Sequence, residues 1–154
     1  MQHYDKKHLF TFGGEHKRFT AGTERVVVNF RGVRILLEVC YDLRFPVWAR
    51  NLGDYDMILY VASWPTPRVD AWSALLRARA IENQCYVAGV NRMGVDPACE
   101  YSGGSAIIDP YGKTIAECPW SRESAVSADI DMEALQTFRK KFPVLDDADP
   151  FTLI

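Results

Sequence analysis

No apolar run in this 154-residue chain approaches the roughly 20 residues needed to cross a bilayer. The polar opening MQHYDKKH also lacks the hydrophobic core of a secretory leader. Both observations argue against a membrane partner and against export, and the expected setting is the cytoplasm. Basic charge is not in excess: 18 Lys and Arg stand against 20 Asp and Glu, a formal net charge of −2. The broad cationic surface that holds DNA or RNA is therefore missing, and nucleic acid is not an expected partner. The four cysteines, Cys40, Cys85, Cys99 and Cys118, form no C-x-x-C pair, which argues against a zinc ribbon, a thioredoxin-like motif or a disulfide framework. Repeats, linkers and low-complexity tracts are absent too. With 48% hydrophobic and 25% charged residues, the balance is that of one folded domain over residues 1–154.

The densest strand signals are Arg25 to Phe30 and Val33 to Val39, rich in β-branched and aliphatic residues. The turn pair Arg31-Gly32 between them predicts a hairpin. Further strands are expected over Met57 to Ala62, Tyr86 to Asn91, Ser105 to Asp109, Thr114 to Cys118 and Ala125 to Asp129, with Asp109-Pro110-Tyr111-Gly112 as a turn. Helical patterns fall at Phe45 to Leu52, at Asp70 to Glu82, and at Met132 to Lys141. In the second, Asp70 is the expected N-cap and Ala71, Leu75 and Ala78 share a face; the third follows Asp131 and stops before Pro143. This order predicts an α+β or α/β fold with a mixed sheet and helices on a face. Cys85 and Cys118 read as small buried hydrophobes and Cys99 as a loop residue. The tail from Val144 is acidic, then apolar, and reads either as an extended segment docking on a partner or as a frayed end.

Cys40 is different. It follows an apolar strand directly and opens Cys40-Tyr41-Asp42-Leu43-Arg44-Phe45-Pro46, after which the expected helix begins. A sharp strand-to-helix turn exposes a sulfur at the strand's carboxyl end, where backbone N–H groups can face a developing oxyanion. Near the start lies Tyr4-Asp5-Lys6-Lys7-His8-Leu9-Phe10. A lysine held beside a cysteine would lower the thiol pKa and later sit near a tetrahedral oxyanion.

YDKKHLF followed by CYDLRFP resembles the carbon–nitrogen hydrolase, or nitrilase, superfamily, whose catalytic lysine sits in a K-x-H-L-F context and whose nucleophile opens the second motif. WPTPR, RARAIENQCYVAGVNR and KFPVLDDADPF are similar to its omega-amidase branch, which acts on 2-oxo acid monoamides. The resemblance implies a nitrilase-like α-β-β-α sandwich. It also implies Cys40 as nucleophile, Lys6 as the catalytic lysine, and Glu15 as a glutamate that positions the catalytic groups. Lys7 is expected on the opposite, solvent face. Tyr41 would lend its backbone N–H to the oxyanion, while Arg44 and Trp64 would shape the acid-binding end. No metal or organic cofactor is implied.

The family's second glutamate, the general base, precedes the lysine by a long stretch, and with Lys6 so near the start that stretch has no counterpart here. The chain is accordingly expected to match the C-terminal three-fifths of a family member, an incomplete sandwich needing self-association, as in a homodimer, or a complementing N-terminal half. A catalytically incomplete assembly module is the alternative from another class, and another superfamily amidase or carbamoylase is a third. Glu38, an acid near the end of an apolar strand, is expected either to face solvent by alternation or to stand in as an acid near the sulfur.

Overall fold

A computed structural model describes residues 2–152. Strands β1 (Val27–Phe30) and β2 (Val33–Val39) form the expected hairpin. Its two turn residues, Arg31 and Gly32, take φ of 52° and 84°, the left-handed pair whose twist suits adjoining antiparallel strands. β3 (Met57–Ala62) and β4 (Tyr86–Asn91) keep the expected bounds, β3 lying parallel to β2 and β4 parallel to β3. A separate small hairpin, β5 (Met93–Val95) and β6 (Glu100–Ser102), was not evident in the alternation. Its signal was local: the Asp96 carboxylate accepts from the backbone N–H groups of Ala98 and Cys99, an Asx-type turn closing three-residue strands. β7 (Ala106–Ile108) and β8 (Thr114–Glu117) complete a mixed six-stranded sheet in the order β1-β2-β3-β4-β7-β8.

Helix α1 (Val69–Glu82) covers one face of this sheet. Trp72, Leu76 and Ala80 pack with Leu36, Ile58, Tyr60, Val87 and Ile108 in the core, each large side chain contributing roughly 2 kcal/mol by burial. The buried stripe also includes Arg79, so it lies one residue on from the predicted Ala71, Leu75 and Ala78. A hydrophobic pattern cannot anticipate a buried guanidinium. This one is held because it donates to the Leu43 carbonyl at 2.6 Å and to Glu82 at 2.9 Å. Asp70 is not the N-cap: the helix begins at Val69, and Asp70 stands in the first turn, where its charge suits the helix dipole. Close approach of α1 needs Gly89 on β4, since a Cβ there would lie 2.5 Å from Leu76 and 2.8 Å from Trp72.

Two predicted elements do not form. Phe45 to Leu52 is a series of turns, because Pro46 disfavours helical geometry at Phe45 and the backbone is claimed by distant partners. Arg25 binds the Arg50 carbonyl, the Asn83 side chain takes the Asn51 N–H, and the Tyr55 hydroxyl takes the Ala49 carbonyl. Ala125 to Asp129 is exposed and joins no sheet; alternation marks residues suited to a strand without supplying a ladder partner.

Helix α2 (Met132–Lys141) forms as predicted, with Asp131 capping the Ala134 N–H at 2.8 Å. Arg139 ties it to the Gln84 and Tyr55 carbonyls and to Asp56. At the tail, exposed Phe151 and Thr152 line a shallow hollow together with Val47, Trp48 and Leu52. The second face of the sheet is more open: Leu37 and Leu59 are half-buried, and Val61 and Val90 are exposed. Among the described residues no helix is long and apolar enough to cross a membrane, and no cluster could hold a metal ion.

Candidate active site

β2 runs straight into Cys40, which adopts φ of 48° and opens a 3-10 turn over Cys40–Arg44. A side-chain-bearing residue in the left-handed region is strained and persists only where its surroundings hold it. The holding group is Asp42. Its carboxylate, fully buried, accepts from the Val39 N–H at 3.1 Å and thereby fastens the turn to its strand. It also accepts from the Tyr4 hydroxyl at 2.9 Å and the His8 N–H at 2.8 Å, with His8 Nδ1 a further 2.8 Å contact. His8 stacks on Phe45 at 3.8 Å, and Trp48 Nε1 donates to the Tyr4 hydroxyl at 3.0 Å. One carboxylate thus binds the cysteine turn to both residues flanking the Asp5-Lys6-Lys7 stretch.

That attachment sets Lys6 into the cleft beside Cys40. The cleft has a volume of about 610 Å³, with Lys6, Glu15, Cys40, Phe10 and Ser63 in its walls. Lys6 Nζ donates to both oxygens of Glu15, at 2.9 and 2.7 Å, and Glu15 takes in addition the Phe10 N–H at 2.8 Å. Burial tends to raise the Glu15 pKa, but the hydrogen bonds from Lys6 and Phe10, with the ammonium charge, outweigh it and hold this carboxylate below its usual range. Lys7 turns the other way, its Nζ 5.0 Å from the Trp48 ring, so it rests on an indole instead of standing free in solvent.

Cys40 and Lys6 therefore share one cleft, as their motifs suggested. The expected ionisation of the sulfur is corrected, however. Burial pushes the Cys40 thiol up, and the Lys6 charge and a 3.9 Å contact to the Ser63 carbonyl only partly offset that; Glu15 and Asp42 add to the rise. The resting group is a thiol. Alkylation of Cys40 by a neutral reagent is accordingly expected to be slow at pH 7 and to rise about tenfold per pH unit, with no plateau below its ordinary pKa of 9.0. A rate already flat at pH 7 would show a thiolate instead. Lys6→Met removes the opposing charge and is expected to slow the reaction further at every pH below 9.

Glu38 meets neither expectation. It is 1% exposed, on the core face opposite Tyr60 in the β2–β3 register, and neither carboxylate oxygen finds a hydrogen bond. Burial, with the Asp42 charge, pushes its pKa up to about 9, against partial relief from Arg25 and Arg79. The fold thus keeps Glu38 neutral at pH 7, while the unfolded chain ionises it near 4.5. Stability from this residue is whole below 4.5 and falls as pH rises toward 9, by ~3 kcal/mol at pH 7. Glu38→Gln is expected to flatten that decline in denaturant titrations; an unchanged pH slope would mean the carboxyl is solvated.

Tyr41 packs edge-on to Phe10 and Phe45 at about 5 Å and lines a small recess of about 40 Å³ on the other side of Cys40. Arg44 and Trp64 line it too, the Arg44 guanidinium lying 5.0 Å from the Trp64 ring centre. Trp64 is 3% exposed and is both a core residue and a wall of the recess. The five other predicted residues thus line the two hollows that Cys40 borders, Lys6 and Glu15 the cleft and Tyr41, Arg44 and Trp64 the recess. Among the described residues no carboxylate accepts a hydrogen bond from Cys40. Sequence reasoning also assigned no part to Asp42, Tyr4 or Asn91, the last of which clamps the Trp64 backbone through its Oδ1 and Nδ2 at 2.7 and 3.0 Å. The available signal was polarity inside apolar strings: Asp42 in CYDL and Asn91 closing YVAGVN.

Residues 1–140 match the carbon-nitrogen hydrolase family model. The omega-amidase YafV of Escherichia coli K12 is 55% identical over 151 residues, covering 97% of this chain and 59% of that protein. The 2-oxoglutaramate amidase of Bacillus subtilis 168 is 42% identical over 149 residues, covering 96% and 57%. XC1258 of Xanthomonas campestris, a CN-hydrolase superfamily protein with an arsenic adduct in its active site, superposes with a TM-score of 0.95 at 49% identity, covering 99% of this chain and 61% of that one. The chain therefore spans about three-fifths of the length of these relatives.

Proposed function

The chain belongs to the carbon–nitrogen hydrolase family, and from that premise we propose that it supplies the nucleophilic site of an amidase for short 2-oxo dicarboxylic acid monoamides. The observation that carries this reading is Cys40 at positive φ on the end of β2, in one cleft with the Lys6–Glu15 pair. The resemblance of WPTPR and KFPVLDDADPF to omega-amidases gives the substrate class, which the relatives' activities support.

In this mechanism the Cys40 sulfur, once deprotonated, attacks the amide carbonyl and forms the S–C bond. The carbonyl pair moves onto oxygen, where Lys6 Nζ and the Tyr41 backbone N–H stabilise it. Collapse breaks the C–N bond, and the nitrogen leaves as ammonia after gaining a proton. Water then cleaves the thioester, returning the thiol and releasing the acid. Lys6 needs no freedom to do this, since Glu15 fixes the ammonium in place and the oxyanion requires only a positive group already aimed. Among the described residues no carboxylate is placed to take the thiol proton; that proton is the one the departing nitrogen gains. The expected result with 2-oxoglutaramate is ammonia release proportional to Cys40 content, at least one equivalent per chain. Ammonia release that persists in chains whose Cys40 is blocked would defeat the reading.

A second reading, a non-catalytic assembly module, is favoured by the apolar residues Leu37, Leu59, Val61 and Val90 on the open sheet face. Light scattering tests it, because a homodimer or a complex with an N-terminal family segment would bury that face. The four free cysteines suit the reducing cytoplasm.

A further inference from the structure

The recess beside Cys40 contains a second guanidinium to which the motifs gave no part. Arg68 ends the WPTPR segment, and its side chain lies 5.7 Å from the Phe10 ring centre, on the wall facing Arg44. Both residues are tied to one plate, Arg44 through its guanidinium and Arg68 through its backbone. Trp64 carries Arg44 against its ring face, and its indole N–H donates to the Arg68 carbonyl at 2.8 Å. Asn91 fixes the Trp64 backbone in turn. Neither Arg44 nor Arg68 makes a hydrogen bond or an ion pair through its side chain among the described residues, whereas Arg25, Arg34, Arg79, Arg92 and Arg139 are each paired with a carboxylate. The third cation of the site, Lys6, already has a carboxylate partner in Glu15. The cations of this recess without a carboxylate partner are thus two forked donors held against aromatic faces. Such forks match a planar carboxylate in two-point contact, and an aromatic backing keeps them extended without consuming their N–H groups.

We propose that Arg68 is a specificity-determining residue that, with Arg44, binds the free carboxylate of an acyclic amide acid whose amide carbon lies at Cys40. The inference rests on the reading of Cys40 as the nucleophile. It adds Arg68 to the acid-binding end, as the residue that accounts for much of the preference for an anionic over a neutral acyl chain. The recess, about 40 Å³, has room for the carboxylate end alone, so the rest of a short acyl chain would lie toward Cys40 and the larger cleft.

The test uses two alkylating reagents of similar size, anionic iodoacetate and neutral iodoacetamide, with the modified Cys40 peptide followed by mass. In each case the Cys40 thiolate forms an S–C bond as the C–I bond breaks, and iodide leaves with the electron pair. No turnover is needed. The neutral reagent reports the sulfur's own reactivity, and the rate ratio reports the field and donors around it. The expected result is an iodoacetate-to-iodoacetamide ratio above that of glutathione, falling roughly tenfold in Arg68→Met, as loss of one charge-assisted contact implies. Arg68→Lys, which keeps the charge and loses the fork, should fall between. A parent ratio no higher than that of glutathione, or one unchanged in Arg68→Met, would overturn the proposal while leaving Cys40 as nucleophile. Failure of both reagents at Cys40 would defeat the nucleophile reading and the proposal with it. Thermal melting of each variant identifies any that does not fold; Arg68→Gln then replaces Arg68→Met in the comparison.

Discussion

Cys40→Ala is expected to abolish the equivalent of ammonia released from 2-oxoglutaramate, because removal of a covalent nucleophile slows such a step by on the order of 10⁵-fold. The reason is positional as well as chemical. No other cysteine can replace it: Cys85 is fully buried beneath α1, with burial holding its thiol well above the usual range, and Cys118 is buried at the end of β8. Cys99 lies in the β5–β6 turn and lines neither the cleft nor the recess. The substitution should leave the melting temperature nearly unchanged, because alanine keeps the Cβ and loses only a half-buried sulfur with one long contact. Ammonia release, measured with a coupled assay on parent and variant at equal concentration, separates the outcomes. A loss of less than tenfold would mean that the sulfur is not the attacking atom.

Asp42→Ala is expected to cost about 3–5 kcal/mol of stability, because it removes one buried acceptor from several donors at once. The backbone N–H groups of Val39 and His8, the Tyr4 hydroxyl and the His8 ring nitrogen all converge on that carboxylate. Urea denaturation checks the number, with an unchanged slope and a lower midpoint as the expected pattern. Asp42→Asn keeps the shape but can accept at one oxygen only, and should lose about half as much. The variant also has a signature beyond stability. Once the segment carrying Lys6 is no longer tied to the cysteine turn, the lysine charge moves off the sulfur. Displacing the Lys6 charge raises the Cys40 profile while losing the Asp42 charge lowers it. Lys6 is the larger influence, so the profile should still shift to higher pH in fully folded Asp42→Asn, by less than in Lys6→Met. A variant with native stability and an unaltered profile would show that Asp42 does not hold these two elements together.

The parts of this molecule that were legible in the sequence are those governed by local chemistry. β2, β3 and β4 appeared with their observed bounds because aliphatic and β-branched runs of that length have few other uses, and Arg31-Gly32 could only be a tight turn. The cysteine turn was visible as a reactive residue between a strand and Phe45-Pro46. What escaped was settled by distant partners. Residues 45 to 52 looked helical until Asn83, Tyr55 and Arg25 claimed their backbone groups, and the stripe on α1 was displaced by an arginine satisfied from Leu43 and Glu82. Lys6, Glu15 and Cys40 were found through motif resemblance. Arg68 was not, because a guanidinium at the end of a proline-rich turn has no distinguishing pattern until its neighbours are in place. The ionisation of Cys40 could not be read either, since it depends on how much water the surrounding aromatic residues displace.

The central claim is that the Cys40 sulfur takes the acyl group while ammonia departs. Its most direct test is peptide mass mapping of the chain quenched in acid after brief exposure to 2-oxoglutaramate. The account predicts an acyl adduct confined to the peptide containing Cys40, sensitive to hydroxylamine as a thioester is, with one equivalent of ammonia for each adduct. An adduct on another residue, or ammonia formed with no acyl group ever borne by Cys40 even when hydrolysis is slowed, would contradict it.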